Sequence, residues 1–210
     1  MVGDDDLKAA EKADEPEAPA RAVRADAQRN IDALLEAAKE VFVASGVDAP
    51  VREIATRAGV GVGTVYRHFP RRADLVAAVF RREVDACAAA ASALAAEHVG
   101  KPVEALASWL LRYASFIATK RGLAAALHSG DPAFDGVPAY FHQHLGPALE
   151  SLLAPAVAAG EIRKDVVPSD LLRAVGNLCV STGTDSAGHS QRMVALLVDG
   201  LRYRARGAGP

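Results

Sequence analysis

A segment punctuated by glycine, residues 51–69, most constrains what this chain can fold into. It reads VREIATRAGVGVGTVYRHF. Apolar residues recur at helical spacing as far as Ala58, and Gly59 follows, where a chain can leave a helix with positive φ and no Cβ clash. Val65 and Phe69 are four residues apart and form the inner face of a second short pattern. The spacing therefore predicts two short helices that meet across a turn.

This layout is that of a helix-turn-helix, whose second helix enters the major groove of DNA. Ala55 is small at the point where the two helices must approach closely. The outward face of the second helix mixes small side chains with polar tips, which suits contact with phosphates and base edges. Arginines surround it without a matching row of acids: Arg52, Arg57, Arg67, Arg71 and Arg72. The alternative is a tight corner inside an all-helical core, but several spacing requirements are met together, so DNA binding is favoured.

Positive charge is concentrated around this motif, although the 210-residue chain has a net charge of −2. Residues 21–82 carry eleven basic and seven acidic side chains, whereas residues 1–20 carry two basic and seven acidic ones. Phosphate binding requires such a local excess of positive charge. Half of the residues are hydrophobic and only 5% are aromatic, which favours helix over sheet and allows a substantial core.

The chain is predicted to be all-α, with an N-terminal three-helix helix-turn-helix domain and a C-terminal helical bundle. Residues 1–24 are acidic and lack apolar periodicity, so they are predicted to be a disordered tail. The helix-turn-helix domain is predicted over residues 25–82, with its first helix over 26–45, and the C-terminal domain over residues 83–206. Further helices are predicted over 71–96, 103–119, 121–128, 137–159, 169–182 and 189–205, with a loop at 129–136.

Neither cysteine nor compartment signals point to secretion. Cys87 and Cys179 lie far apart in helical patterns, which favours buried free thiols over a disulfide. The N-terminus is acidic, unlike a signal peptide, and no apolar run is long enough to span a membrane. We therefore expect a cytoplasmic protein without a membrane partner.

No pattern supports an enzyme. His142 and His144 are two residues apart, so they lie on different sides of a helix and make a poor chelate. Asp131 and Asp135 lie in a glycine- and proline-containing loop, where turn chemistry explains them. The chain has no Cys-x-x-Cys, no phosphate loop and no Gly-x-Ser-x-Gly. We predict no catalytic residue, no metal site and no cofactor.

Residues 31–80 resemble the DNA-binding domain of TetR-family transcriptional repressors. The resemblance rests on VFVASG, REIATRAGVGVGTVYRHFP, the basic pair that follows, and ADLVAAV; TVYRHFP is the most specific part. The C-terminal domain resembles the family in being all helical. The resemblance implies an Ω-shaped homodimer that binds a near-palindromic operator in double-stranded DNA. It also implies that a small-molecule effector in the C-terminal domain releases the DNA.

The resemblance also implies DNA-binding residues, carried over position by position. Three match positions that contact the DNA backbone: Thr64, Tyr66 and His68. Three match positions that face bases or lie beside them: Val62, Gly63 and Arg67. Arg52 matches a position of the second helix that reaches DNA, and Arg71 and Arg72 replace the usual Ser-Lys pair, keeping the charge at Arg72. Pro50 stands where many members have a phosphate-contacting Thr or Ser, so that contact is absent.

The C-terminal helices carry candidates for an effector pocket and a dimer face. Scattered polar side chains on apolar helices, taken as a set, predict a mixed, mostly apolar pocket, although for each residue alone an ordinary core or surface position is favoured. The pocket candidates are Trp109, Tyr113, His128, Tyr140, Asn177 and Thr182. The last two helices are predicted to form a four-helix bundle with those of a second copy. Their apolar candidates are Leu172, Val175, Leu178, Leu196, Leu197 and Leu201.

The predicted function is that of a sequence-specific DNA-binding regulator, a repressor that a small molecule releases. One competing hypothesis is a helical ligand-binding protein whose helix-turn-helix no longer binds DNA, which a gel shift would distinguish. The other is an enzyme, which a co-purified cofactor or turnover would reveal.

Overall fold

The computed structural model describes residues 17–119, 129–179 and 186–203, and the regular structure within these ranges is entirely helical. This confirms the all-α prediction. The elements are α1 (Glu17–Ser45), α2 (Val51–Ala58), α3 (Val62–His68), α4 (Arg72–Glu97), α5 (Pro102–Thr119), the 3₁₀ helix η1 (Pro132–Phe134), α6 (Val137–Ala158), α7 (Pro168–Leu178) and α8 (Ser186–Tyr203). No helix within the described ranges is long and apolar enough to cross a membrane.

The predicted turn between α2 and α3 is a Schellman motif. Gly59 adopts the left-handed conformation with φ of 69°. The N–H of Gly59 donates to the carbonyl of Thr56 at 3.2 Å, and the N–H of Val60 donates to that of Ala55 at 3.0 Å. Only glycine adopts this φ without a Cβ penalty, so one residue ends α2 and redirects the chain into α3.

The three helices before α4 form a small head around a shared core. Ile54 and Ala55 of α2 and Val65 of α3 are buried, as the sequence predicted. They lie in one hydrophobic cluster with Leu34 and Val41 of α1. α1 contacts α2 and α4, and α2 contacts α3, so the two short helices are held by tertiary packing and not by their own propensity.

α4 joins the head to the C-terminal domain through one continuous buried face. Its 26 residues span about 39 Å. The buried positions recur along its whole length: Leu75, Val76, Val79, Phe80, Val84, Cys87 and Ala91. The helix packs on α1, with contacts as far along as Arg82 and Glu83, and on α5 and α6. The predicted inner face of this helix is therefore confirmed.

The core of the C-terminal domain is built around α5. Trp109 and Tyr113 are buried and stack with ring centroids 5.7 Å apart. The indole N–H of Trp109 donates to the carbonyl of Cys87 at 2.9 Å, and the hydroxyl of Tyr113 donates to the carbonyl of Leu172 at 3.3 Å. Cys87 and Cys179 are free and buried, as predicted.

Two predicted boundaries were wrong. The predicted tail, residues 1–24, overlaps α1, which begins at Glu17. The segment after Glu17 is rich in Ala and Arg, both strong helix formers, and its proline lies in the first turn, where the missing N–H costs no bond. Residues 1–16 and the predicted helix 121–128 lie outside the described ranges. At the other end of the chain α7 stops at Leu178, four residues before its predicted end.

The predicted dimer face also needs correction. Leu172, Val175 and Leu201 are buried within the protomer, so they cannot supply apolar area to a second copy. Leu178 and Leu196 remain 45% and 64% exposed. Helical periodicity identifies an apolar stripe but does not distinguish a side that faces the protomer core from one that faces a partner.

Candidate nucleic-acid interface

α3 packs on the rest of the head mainly through one buried side chain, and most of its other side chains face outward. Val65 is 1% exposed and anchors the helix, while Phe69 is half-buried where the helix ends. Most of its outward positions are exposed, and they coincide with the predicted DNA contacts: Val62, Gly63, Tyr66, Arg67 and His68. Thr64 is half-buried. A second helix anchored on one face and open on the other has the geometry needed to enter a groove.

Gly63 has no structural reason to be glycine. A Cβ built at this position meets no atom within 4 Å, and its backbone does not have the positive φ that favours glycine. Glycine in a helix costs conformational entropy on folding, so alanine would be the better residue for stability. The bare backbone at Gly63 therefore leaves room for something that approaches α3 from outside.

The outer face of α2 carries basic side chains beside a shallow groove of about 460 Å³. The groove is lined by Pro50, Arg52, Glu53, Thr56 and Arg57. Arg52 is exposed. Arg57 donates to the carboxylate of Glu40 on α1 at 3.0 Å, so its charge is partly neutralised.

Arg72, a predicted phosphate contact, is bonded inside the protein. Its Nη1 donates to the carbonyl of Ala49 at 2.7 Å and also to that of Val47, and its side chain is half-buried. These carbonyls belong to the turn between α1 and α2. Arg72 thus ties that turn to the start of α4, a role that the sequence did not reveal. A DNA contact from Arg72 stays a prediction.

Arg71 has carboxylate partners on both sides. Its Nη2 lies 2.6 Å from Oδ1 of Asp74, and its Nη1 lies 3.3 Å from Oδ1 of Asp131. The backbone N–H of Arg71 also donates to the carboxylate of Asp74, which satisfies a backbone donor at the start of α4. The hydrogen bond from Arg71 holds the pKa of Asp74 below its ordinary value. Arg71 is exposed, but its guanidinium is already engaged.

The structure brings together only part of the predicted effector pocket. Trp109 and Tyr113 lie side by side in the core, and burial raises the pKa of Tyr113. Tyr140 lies at the interface of α6 and α4, where its hydroxyl donates to Asp85 at 2.7 Å; burial and this bond raise its pKa to about 12. Asn177 is exposed on α7. His128 and Thr182 lie outside the described ranges, and the pocket stays a prediction.

Tyr113 has aromatic neighbours that were not predicted from the sequence. Phe141 lies 6.1 Å from the Tyr113 ring and Phe116 lies 6.2 Å from it, measured between centroids. Phe80 of α4 lies 5.7 Å from Phe116. The signal in the sequence was the phase of Phe116 with Tyr113, three residues earlier on the same helix.

Two helices joined by a glycine turn, with the second helix exposed and with only helices elsewhere in the described part of the chain, define the class of helix-turn-helix transcriptional regulators. Comparisons with known proteins agree. Residues 34–79 match the family model of bacterial regulatory proteins of the tetR family. Residues 101–203 match that of the C-terminal domain of SbtR-like transcriptional regulators.

Similar proteins identify the family. The chain resembles the structure of a TetR transcriptional regulator from Streptomyces coelicolor, with 36% identity, a TM-score of 0.69 and coverage of 81% of this chain and 97% of that one. It also resembles a TetR transcription regulatory protein from Mycobacterium vanbaalenii, with 38% identity, a TM-score of 0.65 and coverage of 86% and 99%. This chain belongs to the TetR family of transcriptional regulators.

A curated relative matches over a shorter span. The chain is 38% identical over 64 residues to an HTH-type transcriptional regulator of Staphylococcus aureus strain USA300, which is 30% of this chain. The match spans 35% of the length of that relative.

The contacts of Arg72 predict its contribution to stability. Arg72→Ala removes a cationic donor from two backbone carbonyls, so we expect the free energy of unfolding to fall by roughly 1–3 kcal/mol. Arg52→Ala is the control, because Arg52 is exposed and its loss should change stability by less than about 0.5 kcal/mol. Urea denaturation followed by circular dichroism measures both. Equal losses in the two variants would contradict the structural role of Arg72.

Proposed function

We propose that this transcriptional regulator is a repressor that binds a near-palindromic operator as a homodimer and is released by a small-molecule effector. The observation that carries the DNA-binding part is the exposed face of α3, opposite the buried side chain of Val65. A regulator that blocks transcription needs only to occupy its site. The C-terminal helices provide a second region where an effector can bind.

The proposed contacts divide into two groups by their chemistry. Tyr66, Thr64 and His68 carry hydroxyl and ring N–H groups that donate to phosphates, and these contacts set register without reading sequence. Val62, Gly63 and Arg67 occupy the part of α3 that would face base edges; arginine there favours guanine through its two acceptors. Arg52 adds a cation on α2. Arg71 and Arg72 have intramolecular partners and are weaker candidates for phosphate contact.

A gel shift with footprinting tests the proposal directly. The probe is a set of duplex fragments from the region upstream of this protein's own gene, each with excess non-specific competitor. We expect saturable binding of at least one fragment that survives the competitor. The logarithm of the affinity should fall linearly with the logarithm of salt concentration. A protein that binds every fragment equally weakly would instead support the ligand-binding hypothesis, in which the helix-turn-helix no longer binds DNA.

Gly63 gives the first prediction from this proposal. Gly63→Ala adds one methyl group where the protein has open space, so the fold should be kept or stabilised by up to about 0.5–1 kcal/mol. The same methyl group would stand between α3 and the DNA, so operator affinity should fall. Gly63→Leu should fall further, in proportion to size. Thermal unfolding and gel shifts of the series measure the two effects, and unchanged operator binding by both variants would contradict the proposed docking of α3.

The homodimer rests on apolar surface that the protomer leaves uncovered. Leu178 at the end of α7 and Leu196 on α8 are exposed, and Leu197 is half-buried. α7 and α8 contact each other, so these leucines belong to neighbouring helices. Two copies joined through this face would carry two recognition helices, as a near-palindromic operator requires.

A single charge on that face should separate the copies. We expect Leu196→Glu to shift the protein from dimer to monomer, because burying a carboxylate in an apolar interface is unfavourable. Val99→Glu is the matched control, since Val99 is 81% exposed and lies at the corner between α4 and α5. Sedimentation velocity at several concentrations measures the assembly. A Leu196→Glu variant as dimeric as the control would refute the proposed interface.

The proposal of an effector rests on contacts that connect the C-terminal helices to α4, the helix that leads to the head. Trp109 of α5 donates to the backbone of α4, and the aromatic cluster around Tyr113 includes Phe80 of α4. A ligand that displaced these rings would therefore press on the helix that carries the head. The surroundings are aromatic, which favours a mostly apolar effector. RolR, a protein of the same fold at 18% identity, was solved with resorcinol, a small aromatic; that similarity shows the fold alone.

Reciprocity provides the test of effector coupling. Trp109 is the only tryptophan, so small aromatic compounds can be screened by the change in its fluorescence. A compound that weakens operator binding by a given factor must itself bind less tightly to the operator complex by the same factor, expected to be about 5–150-fold. A compound that released DNA yet bound free protein and complex equally would contradict the coupling. If no compound altered operator binding, constitutive repression would be the better account.

A further inference from the structure

One ion pair crosses from the head to the C-terminal domain. Arg71 immediately precedes α4 and lies three residues after the recognition helix ends at His68. Asp131 immediately precedes η1, sixty positions later in the chain. Nη1 of Arg71 donates to Oδ1 of Asp131 at 3.3 Å. The contact therefore joins the end of the DNA-binding motif to the second domain.

Asp131 is fixed in place by its own turn. Its Oδ1 also accepts the N–H of Ala133 at 2.8 Å, and its backbone N–H donates to the hydroxyl of Ser129 at 3.3 Å. η1 is anchored in turn by Phe134, which is 5% exposed. Turn chemistry explains part of what Asp131 does, as the sequence predicted, but the carboxylate also reaches outward to Arg71.

Arg71 is fixed from the other side. Its Nε and Nη2 donate to the two carboxylate oxygens of Asp74, at 3.2 and 2.6 Å. Asp74 lies in the first turn of α4. The guanidinium therefore points toward Asp131 from a rigid helix start, with little side-chain freedom left to lose when the pair forms.

A second contact continues this alignment along α4. The hydroxyl of Tyr140 on α6 donates to Asp85, and the guanidinium of Arg81 lies 5.8 Å from the centre of the Tyr140 ring. The segment from η1 to the start of α6 thus follows α4 from its first turn to its middle. Asp131 is the end of this segment that lies nearest the recognition helix.

We propose that Asp131 is a positioning residue for DNA binding, which acts through Arg71 to hold the recognition helix at one orientation relative to the C-terminal domain. This rests on the proposed function, because orientation matters only if two heads must fit one operator. An exposed ion pair adds little to overall stability, so its effect belongs in operator affinity and not in the free energy of unfolding.

The test is operator binding by full-length Asp131→Asn, with the upstream fragment that the wild-type protein binds. Asparagine keeps Oδ1 as the acceptor for Ala133 but loses the charge that pairs with Arg71. We expect operator affinity to fall roughly three- to tenfold, because each of the two subunits of the proposed dimer loses one weak ion pair. The slope of affinity against salt should not change, because Asp131 contacts no phosphate. Asp131→Glu should recover part of the affinity.

Asp135→Asn is the matched control. Asp135 lies in the same loop, is exposed and undergoes the same change of charge. It should bind the fragment as the wild-type protein does or slightly more tightly, since it removes a negative charge from a protein that binds a polyanion. A loss as large as that of Asp131→Asn would show a general effect of the loop and would overturn the proposal.

Repeating the Asp131→Asn substitution in an Arg71→Gln protein tests whether Asp131 acts through its ion pair with Arg71. In an Arg71→Gln protein, Asp131→Asn should have little further effect, because the partner is already gone. An undiminished loss in that background, or wild-type or tighter binding by Asp131→Asn alone, would overturn the proposal. A wild-type protein that bound no fragment would overturn the proposed function itself and this inference with it.

Discussion

The structure depends on one helix whose buried face lies in a hydrophobic core shared by the head and the C-terminal domain. α4 packs its inner face against α1 in the head and against α5 and α6 in the C-terminal domain, with buried residues from Leu75 to Ala91. Protein interiors are close-packed, so neither the head nor the C-terminal domain can slide along α4 without opening voids in this core. The head is therefore attached to the C-terminal domain by one continuous helix and not by a flexible linker. A proposed effector in the C-terminal domain would change DNA binding through this helix.

Polar contacts at the start of α4 fix the orientation of this helix relative to the head. Arg72 holds the turn between α1 and α2, while Arg71 holds Asp74 and Asp131. Both arginines looked like phosphate contacts in the sequence because they follow the recognition helix and carry positive charge. Two of their partners are distant in the chain. Ala49 is 23 positions from Arg72, and Asp131 is 60 positions from Arg71. No local pattern reveals such pairs, and only the folded geometry brings them together.

The parts that the sequence predicted well are those that local physics decides. Gly59 at the end of an apolar stripe requires the left-handed turn, and the spacing of Ile54, Ala55 and Val65 requires their burial. The errors arose where the local sequence does not determine which part of the protein a residue contacts. Leu172 was assigned to the face of a second copy but lies in the protomer's own core, since an apolar stripe does not state which neighbour covers it. The start of α1 was missed because acidic composition outweighed the helix propensity of the Ala- and Arg-rich segment.

In the proposed function, two copies of α3, each connected to its C-terminal domain by α4, read one stretch of DNA. Selection from a pool of random duplex DNA tests this most directly, because it assumes nothing about the operator. The account predicts enrichment of a near-palindromic sequence whose two half-sites are centred about one helical turn apart, ~34 Å, or a small multiple of it. A pool that shows no enrichment after repeated rounds, or one that converges on a single unpaired half-site, would contradict it.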